Sequence, residues 1–396
     1  MKRVIALFVV VGMTMPMIHG KNDSIHSEWK SLGWRVGASV GADYVIPTNN
    51  FLKGSYPGGR PVNSDVAVHI NGDFSFNPES RTGRLYPGLY QGIGMDVRSF
   101  NQSGRTGRPI SLYVYQGMPF VWFGPRLSLG YEWQFGAAFG WKHYYDKESV
   151  SYNTAISTPV TAHMNIGLKL NYMLARHWQL NCGLAVTHFS NGNTSQPNQG
   201  INMAGMSVGV SYIHDSGSSG RSDTEILPEE FQDRRLYFDM LFYAGWRKKR
   251  IVNKGKKDNV FSGNFVVNGL RVGPMWRINR FLACGGLIDF RYDQSALVEP
   301  IGEYEPGQEI TDYSRPSSVF KQLSLGIMGN AEFTMPLFSV SAALGLNAFR
   351  PKGERMFYQT LTLKVSPHPR FYINIGYQLY DFKEPQNLAL GIGVRI

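Results

Sequence analysis

Residues 176–213 read RHWQLNCGLAVTHFS-NGNTSQPNQG-INMAGMSVGVSYI, two apolar-alternating runs around a polar, glycine-containing loop. In the first run the even positions are Trp178, Leu180, Cys182, Leu184, Val186, His188 and Ser190; the odd ones are Gln179, Asn181, Gly183, Ala185, Thr187 and Phe189. Side chains of a strand point alternately to opposite faces, so one face is greasy and the other small or polar. The second run repeats the pattern, with Ala204, Met206, Val208, Val210 and Tyr212 on its apolar face and Asn202 at the loop end of that face. A strand pair with a continuous apolar face and a polar opposite face is the signature of a transmembrane barrel, apolar toward lipid and polar toward the lumen.

The same period recurs along the chain. Segments near 34–46, 64–76, 87–99, 109–123, 126–140 and 160–174 precede this pair; those near 235–247, 259–276, 280–292, 319–333, 337–348, 355–366, 369–381 and 386–396 follow it. Short turns such as Phe123-Gly124-Pro125 and Thr334-Met335-Pro336 alternate with long connections at 47–63, 141–159, 191–201, 248–258 and 293–318, as periplasmic turns alternate with extracellular loops. The 77–86 turn is longer than its side predicts. The fold class is thus all-β, a transmembrane antiparallel β-barrel of about sixteen strands in two halves of eight. Either one barrel uses all of them, or an eight-stranded barrel precedes a second β unit. A soluble β-sandwich is a further option.

Met1-Lys2-Arg3 followed by the apolar run Val4–Val11 predicts a signal peptide over 1–20. The expected organisation is then a barrel half at 21–213, a polar Ser/Gly-rich and acidic linker at 214–234, and a second barrel half at 235–396. No stretch of 18 apolar residues follows the leader, which excludes helical spans. Gly (44 residues), aromatics (13%) and a charged fraction of only 17% fit strands that divide their faces between lipid and lumen. The formal charge of +11 falls to +9 without the leader, which carries Lys2 and Arg3 and no acid. In an exported membrane protein such a balance points to phosphorylated lipid; no nucleic-acid module is present. Cys182 and Cys284 make neither a disulfide scaffold nor a zinc site, and a bond between them requires a proximity that sequence does not give. No cofactor or metal is expected.

His188, Ser190 and Asn202 are the polar exceptions on the greasy faces, all at one end. Polar groups there are costly without partners. A hydroxyl, an imidazole two residues away on its face and an amide across the loop are the parts of a nucleophile, its general base and the group that orients the base. Asn191 and Gly192 could offer N–H donors to an oxyanion. The plainer alternative is that these groups bond headgroups or loop backbone. Lys248, Lys249 and Arg250, with Arg247, Lys254, Lys256, Lys257, Arg350, Lys352 and Arg355, fall on the predicted extracellular side. They could hold lipid phosphates or serve as solvated loop charges. Tyr131, Trp133, Trp141 and other aromatics near strand ends fit interfacial girdles.

The run His188-Phe189-Ser190-Asn191-Gly192, with Pro197-Asn198-Gln199-Gly200-Ile201-Asn202, resembles the active-site strand–loop–strand of the PagL-type lipid A 3-O-deacylases, also met as acyloxyacyl hydrolase-like outer-membrane proteins. The resemblance is dense over 188–212, diffuse over the rest of the first half and absent from the second. It implies an eight-stranded barrel for the first half, location in the outer membrane, and removal of an ester-linked acyl chain from lipid A. In it His188 is the base and Ser190 the nucleophile. The family's third residue, fourteen positions after the histidine, is a glutamate; here it is Asn202, so an imidazolium would lose a negative partner. Glu225, Glu229 and Glu230 are poor substitutes by topology. The partners implied are lipid A or lipopolysaccharide and outer-membrane lipids. The competing functions are a non-catalytic barrel, whether pore or lipopolysaccharide-binding scaffold, and a soluble adhesin-like protein.

Overall fold

The structure, a computed structural model, describes residues 32–144, 152–214, 235–251, 253, 258–382 and 384–396, without the side chains at 384 and 385. The expected leader, the linker from 215 to 234, and Lys254, Lys256 and Lys257 lie outside the described residues. Sixteen long strands close into two separate eight-stranded barrels. The first contains β1 (Gly33–Ile46), β2 (Ser64–Ser75), β3 (Tyr90–Phe100), β4 (Gly107–Phe123), β5 (Leu127–Trp141), β6 (Val160–Ala175), β7 (Trp178–Ser190) and β8 (Ile201–His214). Antiparallel pairing of β8 with β1 shuts it, Trp34 opposite His214 through Ile46 opposite Asn202. The second contains β9 (Leu236–Arg247), β10 (Phe265–Arg277), β11 (Leu282–Asp293), β12 (Leu323–Thr334), β13 (Phe338–Phe349), β14 (Phe357–His368), β15 (Phe371–Tyr380) and β16 (Glu384–Arg395). The pairing of β16 with β9 shuts it.

Closure follows from the solvent. Strands of 10–17 residues are long enough to cross hydrocarbon, where an unpaired sheet edge would leave backbone groups without partners. The two faces divide as the alternation predicts. On β7, Cys182, Leu184 and Val186 are exposed on the outer wall while Asn181 and Thr187 are buried in the lumen. No described helix is long and apolar enough to cross a membrane. Cys182 and Cys284 are both free and belong to different barrels.

An eight-stranded barrel has an interior that side chains can fill, and here charged side chains fill it in pairs. In the first barrel Arg98, 1% exposed, meets Asp43 at 2.8 Å and Asp65 at 2.7 Å, and Arg35 meets Asp73 at 2.9 Å. In the second, Lys364 Nζ lies 2.6 Å from both Asp239 and Glu332, and Arg395 adds a bond to Glu332 at 2.8 Å. Over the loop end of the first barrel an apolar cluster including Phe51, Leu52, Trp141, Ile156, Phe189 and Met203 closes the mouth.

Two local expectations change. The strand expected over 259–276 breaks at Ser262-Gly263-Asn264. Asn259–Phe261 leaves the barrel wall and pairs in parallel with Glu309–Ile310, within the loop expected at 293–318. At the break Gly263 packs against Tyr313, whose hydroxyl lies 2.6 Å from where a β-carbon would stand. The long 77–86 turn holds a helical turn, Arg81–Leu85, capped by the Ser80 side chain on Gly83 N–H. This segment carries Tyr86 to the second barrel, where its hydroxyl donates to Arg280 O at 3.0 Å and its ring packs edge-on against Phe281.

Lys364→Met leaves Asp239 and Glu332 buried in the lumen without their shared cation, with Tyr372 and Arg395 as their remaining partners. A loss of about 3–5 kcal/mol is expected, read as a lower urea midpoint for the heat-modifiable band on cold SDS gels. An unchanged midpoint would mean the lumen is wetter than the side-chain packing implies.

Candidate active site

Strand pairing builds the site. β7 and β8 are joined by the 191–200 loop, and their register sets His188 directly opposite Asn202. Both point outward, and His188 Nδ1–H donates to Asn202 Oδ1 at 2.7 Å. That bond settles the tautomer, leaving Nε2 with a free lone pair. Gly200 presses on the same ring: a β-carbon there would lie 3.0 Å from Cε1, and its backbone is left-handed at φ +70. Gly200 is thus the residue that lets the loop close over the imidazole.

Ser190, two residues further along the same face, is 4% exposed. Its Oγ accepts from Asn198 Nδ2 at 2.9 Å and from the Gly192 N–H at 3.2 Å. Asn198 is held with its amide nitrogen toward the serine because its Oδ1 accepts from the Asn191 N–H at 3.1 Å. The Ser190 hydroxyl proton is used by neither of these bonds and is directed to Asn198 Oδ1 at 3.4 Å. The serine is not bonded to His188 in this resting arrangement, but the two share a face of one strand. Bonds between catalytic groups are often loose before substrate arrives.

Each sequence-predicted residue has a definite place. His188, Ser190, Asn202 and the Gly192 N–H come together. Asn191 does not join them as a free donor: its backbone N–H is spent on Asn198, and its side chain donates to Ser157 Oγ at 2.9 Å and Ser195 O at 3.0 Å. It braces the loop instead. The loop is further tied to its neighbours by Gln199 N–H on Thr154 O and by Asn49 Nδ2 on Gly200 O. The basic cluster is internally satisfied. Lys248 Nζ donates to Ser262 O, Lys249 Nζ to Ser295 O and Val298 O, and Arg250 pairs with Asp258. Burial holds Lys249 below the usual lysine range, which also disfavours it as a phosphate anchor. Arg350 bonds backbone at Glu354 and Asn347, and Arg355 pairs with Asp381. Sequence reading missed Asn198 as a site residue, although Asn198 lies inside the run that carries the resemblance. It also missed the second barrel as a neighbour of the loop. Tyr377, on the outward row of β15 in the second barrel, pairs with Leu388 of β16, the residue that Gly192 packs against.

The fold defines the class: an outer-membrane-type protein of two closed eight-stranded barrels, with a serine, an imidazole and converging N–H donors gathered on the outer wall of the first. Comparison with known proteins narrows it. The family model described as lipid A 3-O-deacylase (PagL) matches residues 68–211, and that described as acyloxyacyl hydrolase, C-terminal domain (PagL_C), matches 236–396. The chain belongs to the PagL family. Among solved structures it is similar to the outer membrane enzyme PagL at 16% identity, over 44% of this chain and 97% of that one, with a TM-score of 0.30. It is also similar to the siderophore receptor PirA from Pseudomonas aeruginosa (10% identity, 92% and 80% covered, TM-score 0.21) and to the FrpB iron transporter from Neisseria meningitidis (9%, 92% and 70%, 0.22). No curated protein sequence matches.

Gly200→Ala is expected to push the His188 ring off Asn202 while the barrel stays closed. In micelles the downfield proton resonance of His188 Nδ1–H should disappear, with the heat-modifiable band unchanged. A retained resonance would show that the loop yields rather than the ring.

Proposed function

We propose that the chain is an outer-membrane serine hydrolase that removes an ester-linked acyl chain from lipid A or a related glycolipid. The observation that carries this reading is the His188–Asn202 bond on the lipid-facing wall, one alternation away from a serine whose oxygen already receives two N–H donors. Family membership places the protein in the outer membrane and names lipid A as the substrate class.

Rotation of the Ser190 side chain brings its proton to His188 Nε2. As the proton leaves, Oγ bonds the ester carbon and the carbonyl oxygen takes the negative charge. On this reading the Gly192 N–H and the Asn198 amide, which bond Ser190 Oγ in the resting site, turn to the carbonyl oxygen as its charge develops and serve as the oxyanion hole. His188 returns the proton to the departing sugar hydroxyl. Water, activated by the same ring, then frees the fatty acid from Ser190. Asn202 orients the imidazole as a carboxylate would but adds no charge. The imidazolium is therefore less favoured here than with the family's glutamate. The apolar outer wall below the site, with Leu184 and Val186 exposed, suits the acyl chain of a lipid lying in the membrane.

Mass spectrometry of lipid A from cells expressing the chain should show the loss of one acyl group, and Ser190→Ala should restore the full mass. Lipid A that is the same with and without the chain would instead favour a non-catalytic lipopolysaccharide-binding barrel. Asn202→Glu, which restores the charge, is expected to raise kcat roughly tenfold or more; a fall would show that the site is shaped for the amide.

A further inference from the structure

The two barrels touch at the short-turn end, where Tyr131 and Trp133 of β5 meet Phe333 and Phe338. They touch again at the loop end, and there the contacts fall on the two residues after Asn191. Gly192 and Asn193 both hold left-handed backbone, at φ +64 and φ +67. Glycine adopts this freely and asparagine tolerates it, but usually as single residues. Two in succession need support from their surroundings.

That support comes from both barrels. Within its own loop, the Asn193 N–H donates to Asn191 Oδ1 at 3.0 Å, and Asn193 Oδ1 accepts from the Gln196 amide. From the second barrel, the Asn193 carbonyl accepts from the Lys248 N–H at 3.3 Å, and Asn193 Nδ2 donates to Gln386 O at 3.1 Å. This seat is itself fixed: Arg247 of β9 donates to Gln386 Oε1 at 2.6 Å and pairs with Asp293 at 2.9 Å. Leu388 of β16 stands against the glycine, where a β-carbon would lie 2.7 Å from Leu388 Cβ. What the turn controls is one donor. The Gly192 N–H reaches Ser190 Oγ at 3.2 Å, and its direction depends on the dihedrals that these contacts hold.

We propose that the second barrel is the positioning element of the ester site, with Leu388 as a positioning residue. It keeps the Gly192–Asn193 turn in the conformation that aims the Gly192 N–H at Ser190 and, during reaction, at the carbonyl oxygen. The inference rests on Ser190 being the ester nucleophile and on the Gly192 N–H serving its oxyanion. Leu388 touches no reacting atom, and no bond forms or breaks through it. The His188–Asn202 bond lies within one strand pair of the first barrel and does not depend on the seam. The second barrel thus bears on the donor and not on the base.

The test compares full-length Leu388→Ala, Leu388→Met, Asn193→Asp and Ser190→Ala in detergent micelles, on purified lipid A, with folding followed by heat-modifiable migration. Leu388→Ala should lower kcat about tenfold with KM within twofold, a fraction of the roughly 10²-fold that a lost oxyanion donor costs. In protein labelled with 15N-glycine the Gly192 amide should exchange with solvent faster, while the His188 Nδ1–H resonance stays in place. Leu388→Met, which restores the bulk, should recover both the rate and the slow exchange. Asn193→Asp keeps the acceptor for Gln196 and a left-handed backbone but loses the donor to Gln386. It should show the same split between kcat and KM, so the proposal remains testable if Leu388→Ala does not fold. If Ser190→Ala is inactive but Leu388→Ala and Asn193→Asp keep their kcat, this proposal is overturned and the nucleophile stands. The same holds if either variant raises KM alone, or if kcat falls with Gly192 exchange unchanged. An active Ser190→Ala would overturn the nucleophile and this inference together.

Discussion

Hydrocarbon offers no partner to a backbone N–H or C=O, and this constraint shapes the whole molecule. It requires each set of eight strands to close, turns alternate side chains outward into lipid, and sends the charges inward, where Arg98, Arg35 and Lys364 pair with carboxylates. The same constraint makes the outer wall a demanding place for polar groups. His188, Ser190 and Asn202 persist there because each has a partner within the same strand pair and its loop. This polar cluster on the lipid-facing wall is thus a local exception to the rule that built the barrel, and its internal bonds are what permit it.

The second barrel changes the meaning of that exception. A single barrel would present the serine directly to lipid. Here Leu388 and Gln386 stand against Gly192 and Asn193, and the serine is nearly enclosed. An enclosed site excludes water and strengthens every hydrogen bond within it. The filled lumens leave the outer walls and the seam between them as the surfaces available to a lipid.

Much was legible beforehand because strand period is a local property. Alternation over 176–190 placed Asn181 and Thr187 inward and Val186 and His188 outward, and the structure agrees. The pairing of His188 with Asn202 was legible because a hairpin's register depends only on its own loop. Asn198 was harder. A loop residue has no period, and its role depends on the bond from Asn191 N–H that turns its amide toward the serine. The basic loop read as a phosphate site because sequence displays cations but not the backbone carbonyls that receive them; Lys249 shows the difference.

By itself the sequence determined the strand class, the lipid-facing side of each strand, the hairpin that carries the histidine, serine and asparagine, and the resemblance that names their chemistry. All of these depend on residues close together in the chain. Only the tertiary structure decided that sixteen strands make two barrels rather than one. Closure is set by whether β1 meets β8 or a more distant strand, and period-two alternation is the same in both cases. Only the tertiary structure, too, set Leu388 against Gly192. That contact is between residues 196 positions apart, on walls that carry no mark of each other in their own alternation.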